Sequence, residues 1–456
     1  MPIAATVRSR ECRSLSTAAL VACVLLPPCL AVAQAPAAAD PSQNAALFYW
    51  KAIALEQVPE TAEQVELVRF VDRELEPLPP RVFAAEPEAL RWLINERPML
   101  TALNQGARRT ACAFPIRTPR DVALDLSHIP RLRLLSVRAL AAAKAYEYAD
   151  NTQGAATIYV DLLRMTKQLD QDNNLTSGLF GAELLQKLLW ELEGFLSRVQ
   201  PGDSVALLSR EFKDNRPALF RVGNYLREEA QRYGEWLLAD ADRAAERLNR
   251  LYGNAANRPA VEQLVTLEAK KKEERLRTWV DDYRKRMKSL ADAMELPYAS
   301  ALPRVRGLDA QKLAAQRDAG GGNNPLIPLL VPDAAELYER LMLAEGHYGM
   351  IDILAQAALF RADLGAWPAS LAELAQFARR SLPKDPFSGE DFYYKLDGDR
   401  PELALRIPRK MASAKGFLYT INLDRRRAGD EQRLSEAMKT IAQERRENPN
   451  APVPMR

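Results

Sequence analysis

Leu364-Gly-Ala-Trp-Pro-Ala-Ser-Leu-Ala-Glu-Leu374 and, a little further on, Leu382-Pro-Lys-Asp-Pro-Phe-Ser-Gly-Glu-Asp-Phe-Tyr-Tyr394 form the one stretch whose turn residues dictate a local path. Gly365 is placed to end a preceding helix in the left-handed conformation, and Pro368 keeps Trp367 extended. Ser370 with Glu373 reads as a capping box that opens a short helix over Leu371, Leu374 and Phe377. Pro383 stops that helix. Asp385-Pro-Phe-Ser-Gly389 reads as a tight turn, and Phe392 to Leu396 as the first strand beyond it.

Working outward, Asp333 caps a long helix, with Glu336 completing a second box. Leu337, Leu341, Ala344, Tyr348, Ile351, Ala355 and Ala358 recur at steps of four and three, a single buried stripe. Downstream, Leu403, Leu405 and Ile407 form a second alternating run, and Phe417, Tyr419, Ile421 and Leu423 a third. Asp397-Gly398-Asp399 is a hairpin signal between the first two. One long helix against a three-stranded antiparallel sheet satisfies both, since each has one apolar face to hide. This α+β unit spans 333–424. A terminal helix and tail follow over 425–456, with Leu434, Met438 and Ile441 as the helix's stripe.

Upstream the chain is mainly α. Asn44 is a good N-cap for Ala-Ala-Leu-Phe-Tyr-Trp-Lys-Ala-Ile-Ala-Leu, the first in a series of helical patterns. Others cover Glu60 to Leu75, Pro87 to Arg108, Pro130 to Asp150, Gly154 to Leu169, Leu175 to Val199 and Asp203 to Lys213. Breaks fall at Pro59, Pro77 to Pro80, Phe114 to Pro119 and Pro201-Gly202. Small residues at Ala139, Ala142, Ala143, Ala145, Ala155 and Ala156 suit two helices in close approach, a hairpin either tetratricopeptide-like or ordinary. No clean 34-residue period repeats, so residues 44–316 read as an irregular helical array. From Pro217 to Leu296 charges of both signs surround a narrow stripe through Leu264, Leu267, Leu276, Trp279 and Tyr283, giving long, solvated helices. Residues 317–332, with Gly320-Gly-Gly and then three prolines in Pro325-Leu-Ile-Pro-Leu-Leu-Val-Pro332, read as an extended linker covering an apolar groove.

The N-terminus predicts an address. Arg8, Arg10 and Arg13 precede an apolar run from Leu15 to Leu26, then Pro27-Pro28 and small residues to Ala33. That order is a secretory signal peptide over 1–33. The apolar run is too short for the ~20 residues a membrane span needs. Cys29 near its end leaves a lipoprotein as the alternative. Cleavage removes Cys12, Cys23 and Cys29, so Cys112 stands alone and no intramolecular disulfide can form. Cys112 beside Ala113 and Phe114 reads as a small buried hydrophobe, its other possible role being a nucleophile. The 63 basic and 60 acidic residues of the whole chain become 60 and 59 once Arg8, Arg10, Arg13 and Glu11 are gone. Near-neutral charge offers no general electrostatic reason to bind nucleic acid or anionic lipid.

The segment from Ala355 to Leu423 resembles the soluble part of the major pseudopilins of type II secretion and their type IV pilin relatives. Those families carry a long helix, a Gly-x-x-Pro turn, a short helix, a Pro-x-Asp-Pro-Phe/Trp-x-Gly turn and a three-stranded sheet. Gly365, Pro368, Pro383, Asp385, Pro386, Phe387 and Gly389 hold the matching positions, over about a sixth of the chain. The resemblance implies a fold and, more weakly, an accessory role in secretion or piliation. Filament incorporation is not implied, because the helix follows some three hundred residues instead of a prepilin leader. Nor is the family's calcium loop, since Leu423-Asp-Arg-Arg-Arg-Ala-Gly-Asp430 sets three arginines beside two aspartates. The mature chain as a whole is similar to uncharacterised exported bacterial helical proteins, which implies an architecture and no activity.

Reactive constellations are scarce in this sequence. Its two histidines, His128 and His347, have no second ligand at helical spacing, which disfavours a zinc site or a histidine-based hydrolase. His347 reads as a packed or solvent-edge histidine. Gly-x-x-x-x-Gly-Lys-Ser/Thr, Gly-x-Ser-x-Gly and a strand-borne Gly-x-Gly-x-x-Gly are all missing. Asp385, Glu390, Asp391, Asp397 and Asp399 form the one acidic cluster. Turn chemistry accounts for them, with calcium or a carboxylate pair as the alternative. No catalytic, cofactor or metal residue is therefore assigned. The expected function is a periplasmic or secreted, non-catalytic protein that contacts another protein or envelope component. The alternatives are a carboxylate-based hydrolase and an accessory of secretion machinery.

Overall fold

The computed structural model of the chain describes residues 41–55, 96–114, 128–148, 150–172, 174–199, 202–211, 222–252, 262, 264–317, 324–398, 400–407 and 420–422. The expected signal peptide, the helix from Glu60 to Leu75, the start of the helix from Pro87, the start of the third run at Phe417 and Tyr419, and the terminal helix lie outside the described residues.

The described chain is mainly helical with a small antiparallel sheet. Helices α1 (Ala45–Ala54) and α2 (Arg97–Ala107) lie against each other, and α3 (His128–Tyr148) and α4 (Thr152–Leu169) form a helical hairpin. Ala139, Ala142, Ala143, Ala145, Ala155 and Ala156 are all buried there, as their size requires. The connection turns on Asp150, at φ 58°, and on Asn151, whose side chain accepts the Gly154 N–H at 2.9 Å. α5 (Leu175–Arg198) and α6 (Asp203–Glu211) pack on α4.

Among the described residues the charged region contains helices α7 (Val222–Leu238), α8 (Ala244–Tyr252) and α9 (Ala269–Met294). Of its expected stripe Leu264, Leu276, Trp279 and Tyr283 are buried and Leu267 is half-buried. Leu276, Trp279, Val280, Tyr283, Met287 and Leu290 are buried, and α9 lies along α7 with Tyr233 edge-on to Tyr283. A further helix, α10 (Tyr298–Arg317), carries Pro303 inside it, and the sequence reading assigned no helix there.

The extended linker is a correction. Pro325–Pro332 contains a short helix, α11 (Leu326–Leu330), with Leu326 and Ile327 buried. Asn324 explains it: its Oδ1 accepts the Leu326 N–H at 3.0 Å, while its Nδ2 donates to the Trp279 carbonyl at 2.7 Å and Asp282 at 3.1 Å. Pro328 falls in the first turn, where a helix uses no N–H, so the proline that argued for extension is harmless.

A second correction concerns the start of α12 (Ala334–Leu364). Asp333 is its N-cap residue but makes no side-chain cap bond. Asp309 of α10 caps it from outside, accepting Ala334 N–H at 3.0 Å and Ala335 N–H at 2.8 Å. Asp333 turns instead to Lys312 at 2.8 Å, and Glu336 to Arg340 at 2.8 Å.

The expected stripe of α12 is buried throughout, but so are His347, Met350, Asp352, Ile353, Leu354, Gln356, Ala357 and Phe360. The helix is enclosed because it has neighbours on several sides, α10 among them. α5 and α6 lie on one side, with Gln356 Nε2 donating to the Ser209 carbonyl at 3.2 Å. The sheet region lies on another, seated in two notches: a Cβ at Gly346 would come within 2.6 Å of Leu405, and one at Gly349 within 2.7 Å of Phe392. Gly349→Ala is therefore expected to destabilise the protein by roughly 1–2 kcal/mol, helix propensity notwithstanding, because Phe392 has nowhere to move. Urea denaturation checks this, and Gly349→Ala with Phe392→Leu should recover part of the loss.

The turn region follows its sequence except at the end of its short helix, which stops after Ala378 on Arg379, at φ 52°, and not at Pro383. Gly365 ends α12 at φ 76°, and Trp367 is buried beneath the Arg361 guanidinium, 4.6 Å from its ring. Ser370 opens α13 (Leu371–Ala378), accepting the Glu373 N–H at 3.2 Å, and Glu373 answers at the Ala369 N–H at 2.6 Å. Strand β1 (Tyr393–Asp397) pairs antiparallel with β2 (Arg400–Ala404), Asp397 opposite Arg400, around Gly398 at φ 61°. The three residues Thr420–Asn422 run antiparallel beside β2, Leu403 opposite Ile421. β2 stops at Ala404, short of the expected Leu405 and Ile407, because the Arg406 N–H is taken by Asp385 at 2.5 Å. Phe387 packs edge-on to Tyr298 at 4.9 Å, and Tyr298 stacks on Tyr338. The expected boundary between 44–316 and 333–424 is thus bridged by direct contacts.

Candidate functional site

Within the acidic cluster Asp385 serves its turn, and Asp397 lies exposed at the end of β1. Asp385 is fully buried. Its Oδ1 accepts the N–H groups of Phe387 at 2.8 Å and Ser388 at 3.1 Å, and its Oδ2 that of Arg406. Its own N–H donates to the Glu390 carbonyl and its carbonyl accepts from Gly389, both at 2.8 Å, with Gly389 at φ 74°. A carboxylate ringed by three donors is an organiser of backbone. Asp391 pairs with Lys384 at 2.6 Å and Glu390 faces Arg406 at 3.8 Å, both on the surface. Asp399 lies outside the described residues. Among the described residues no three His, Cys, Asp or Glu side chains are grouped to hold a metal ion.

His128 is buried and stacked on Phe114, ring centroids 4.2 Å apart. His347 is buried in α12, and burial pushes its imidazole down to about 3. Cys112 is buried, its N–H donating to Gln171 Oε1 at 2.9 Å.

Two polar centres were not found by reading the sequence. In the first, Lys144 of α3 is buried among alanines, its Nζ 3.2 Å from Glu147 and 2.5 Å from Glu191 of α5. Tyr159 of α4 donates to Glu147 Oε1 at 2.5 Å. The second gathers where α1, α2, α4 and α6 meet. Asn104 Nδ2 lies 3.0 and 2.8 Å from the two oxygens of Asp161, a carboxyl pushed up to about 6 chiefly by burial. One turn on, Arg164 donates to Glu211 at 2.9 Å, and Lys167 lies 3.2 Å from the same carboxylate. Tyr49 donates to Gln168 Oε1; its phenol is raised well above its usual value by burial. Gln168 Nε2 in turn donates to the Gly106 and Arg109 carbonyls at 3.1 and 2.7 Å, closing the end of α2. The available signal was a charged residue inside an apolar run: Asp161 in Ile-Tyr-Val-Asp-Leu-Leu, Lys144 between alanines.

A carboxyl near 6 has the acidity of a general acid. Here both oxygens are directed at an amide of the neighbouring helix, which makes it first a joint between helices. Between α3 and α5 a crevice lined by Arg133, Val137, Phe180 and Glu183 has a volume of about 10 Å³, the room of one water molecule. Among the described residues no helix is long and apolar enough to cross a membrane. No family model matches the chain, and no curated protein or solved structure matches it either.

Proposed function

We propose that the protein is an exported, non-catalytic interaction or structural protein of the bacterial envelope, acting by contact with another protein or envelope component. The observation that carries this reading is the commitment of Asp385, the buried member of the acidic cluster, to its own turn. The leader-like residues 1–33 support export. The finer architecture belongs to the same proposal: a tetratricopeptide-like α3–α4 hairpin, and a pseudopilin-like unit over 333–424 whose sheet is three-stranded. Of the positions on which the pilin resemblance rests, Gly365 and Gly389 adopt positive φ and Asp385 accepts from the turn that follows it, which supports this reading. The test is capture from envelope extract with the mature chain as bait, beside a hydrolase substrate panel. A saturable partner with no turnover is expected; turnover with no partner overturns the proposal.

A second reading, a carboxylate-based hydrolase, is favoured by Asp161 and Glu229, whose carboxyls burial pushes up to about 6 and about 7. On that reading Asp161→Asn abolishes a turnover that the wild type displays. The third, an accessory to secretion or piliation, rests on the turn motif, and intact secretion and piliation in a deletion strain would end it.

A further inference from the structure

Strand β1 pairs with β2 along one edge, and its other edge is bare among the described residues. Asp397 faces Arg400 across a two-residue turn, and such a turn closes on a hydrogen-bonded pair. Counting back from it, Tyr393, Lys395 and Asp397 direct their backbone N–H and C=O groups at β2. The same alternation sets Leu396 opposite Pro401, which has no N–H to give, at a position where none is needed. Tyr394 and Leu396 therefore point their backbone groups outward, and no partner among the described residues meets them; the Tyr394 hydroxyl is engaged separately, by the Pro368 carbonyl at 2.6 Å. Sheets guard an open edge with proline, a bulge or charged side chains, lysine above all. β1 carries a single lysine, and an aspartate beside it on the solvent face offsets its charge: Tyr393, Lys395 and Asp397 are all exposed there.

From this pattern we infer that β1 is a self-complementary edge, on which a second copy of the chain pairs antiparallel about a two-fold axis through Leu396. The inference does not rest on the proposed function, whose partner is a different protein or envelope component. A two-fold axis allows registers that set outward backbone groups against each other, and the side chains of the solvent face choose between them. Through Leu396, Lys395 faces Asp397 of the second copy and Asp397 faces its Lys395. Through Lys395, two lysines meet; through Tyr394, Asp397 meets Asp391. Like charges directly opposite are destabilising, so the axis through Leu396 is the complementary one.

In this register Tyr394 arrives opposite the Gly398 turn, so the pairing runs from Lys395 to Asp397 on each strand. Such a contact is far smaller than the ~800 Å² per partner of a standard interface, and the expected Kd is on the order of 1 mM. The readout has to trap the pair. Lys395 and the facing Asp397 form a non-hydrogen-bonded pair, with Cα atoms about 4.5 Å apart and within reach of a disulfide, whereas the two Lys395 positions lie on a diagonal of about 7–8 Å, beyond it. Cys112 is buried and does not compete.

The test uses the full chain with Cys12→Ser, Cys23→Ser and Cys29→Ser. A Lys395→Cys protein and an Asp397→Cys protein, mixed under oxidising conditions, should give a disulfide-linked heterodimer about tenfold in excess of the homodimers that either gives alone. The mixed pair keeps its second contact, the aspartate of one chain against the lysine of the other. Adding Asp397→Lys to the Lys395→Cys protein sets lysine against lysine at that contact, with the cysteines unmoved, and should cut the heterodimer about fivefold. Both positions are on the solvent face, so unchanged circular dichroism is expected in every variant. No linked dimer in the mixture, homodimers of Lys395→Cys as abundant as the heterodimer, or a yield indifferent to Asp397→Lys would each overturn the inference.

Discussion

Asp385→Ala is expected to destabilise the protein by roughly 3–5 kcal/mol, a sum over three backbone donors left without their acceptor. Phe387, Ser388 and Arg406 all give their N–H groups to this one carboxylate, and water cannot replace it where the residue is fully buried. The loss spreads beyond the turn. Arg406 is the residue at which the chain leaves β2, so the carboxylate sets where the sheet ends, and Phe387 carries the contact to Tyr298 in the helical array. Asp385→Asn keeps one acceptor oxygen but sets an amide N–H against a backbone N–H, so about half the loss is expected. Urea denaturation measures both variants. A change under about 1 kcal/mol for Asp385→Ala would mean that the turn is held by Pro386 and Gly389 alone.

The same residue shows which parts of the fold were legible. Asp385, Gly365 and the Ser370–Glu373 box act on backbone within a few positions of themselves, so their chemistry is complete in the local sequence. Asp333 carries an equally good local signal and is overridden, because Asp309 reaches the helix end from α10 and Lys312 draws Asp333 away. Position in space decides that competition, and no spacing reveals it. The linker failed for a related reason: three prolines argue for extension only if none falls in a first helical turn, and Pro328 does. The single stripe on α12 described one of its sets of neighbours. The sheet side is marked by absences of side chain, Gly346 and Gly349, which a search for apolar residues passes over. Of the polar centres, Asp161 and Lys144 are visible as charges in apolar runs, but their partners Asn104 and Glu191 lie on other helices.

Lys144→Met is the second large effect, expected to destabilise by about 3–5 kcal/mol. The lysine ammonium lies between Glu147 and Glu191, whose side chains are themselves largely buried, and Tyr159 directs its hydroxyl to the Glu147 oxygen that Lys144 approaches. Removing the cation leaves two carboxylates inside the α3–α4–α5 layer without the charge that faces both. The penalty thus comes from the charges left behind, and the methylenes that methionine retains should limit any packing loss. That origin sets the control. Lys144→Met combined with Glu147→Gln and Glu191→Gln should regain most of the loss, since an apolar or neutral replacement of a buried ion cluster is often neutral or better. If the triple variant stays as unstable as Lys144→Met, the cavity and not the charge is responsible. If Lys144→Met itself changes stability by less than about 1 kcal/mol, the three helices are held by their alanine contacts. In that case a lysine buried at this depth would have to be explained by something other than the fold.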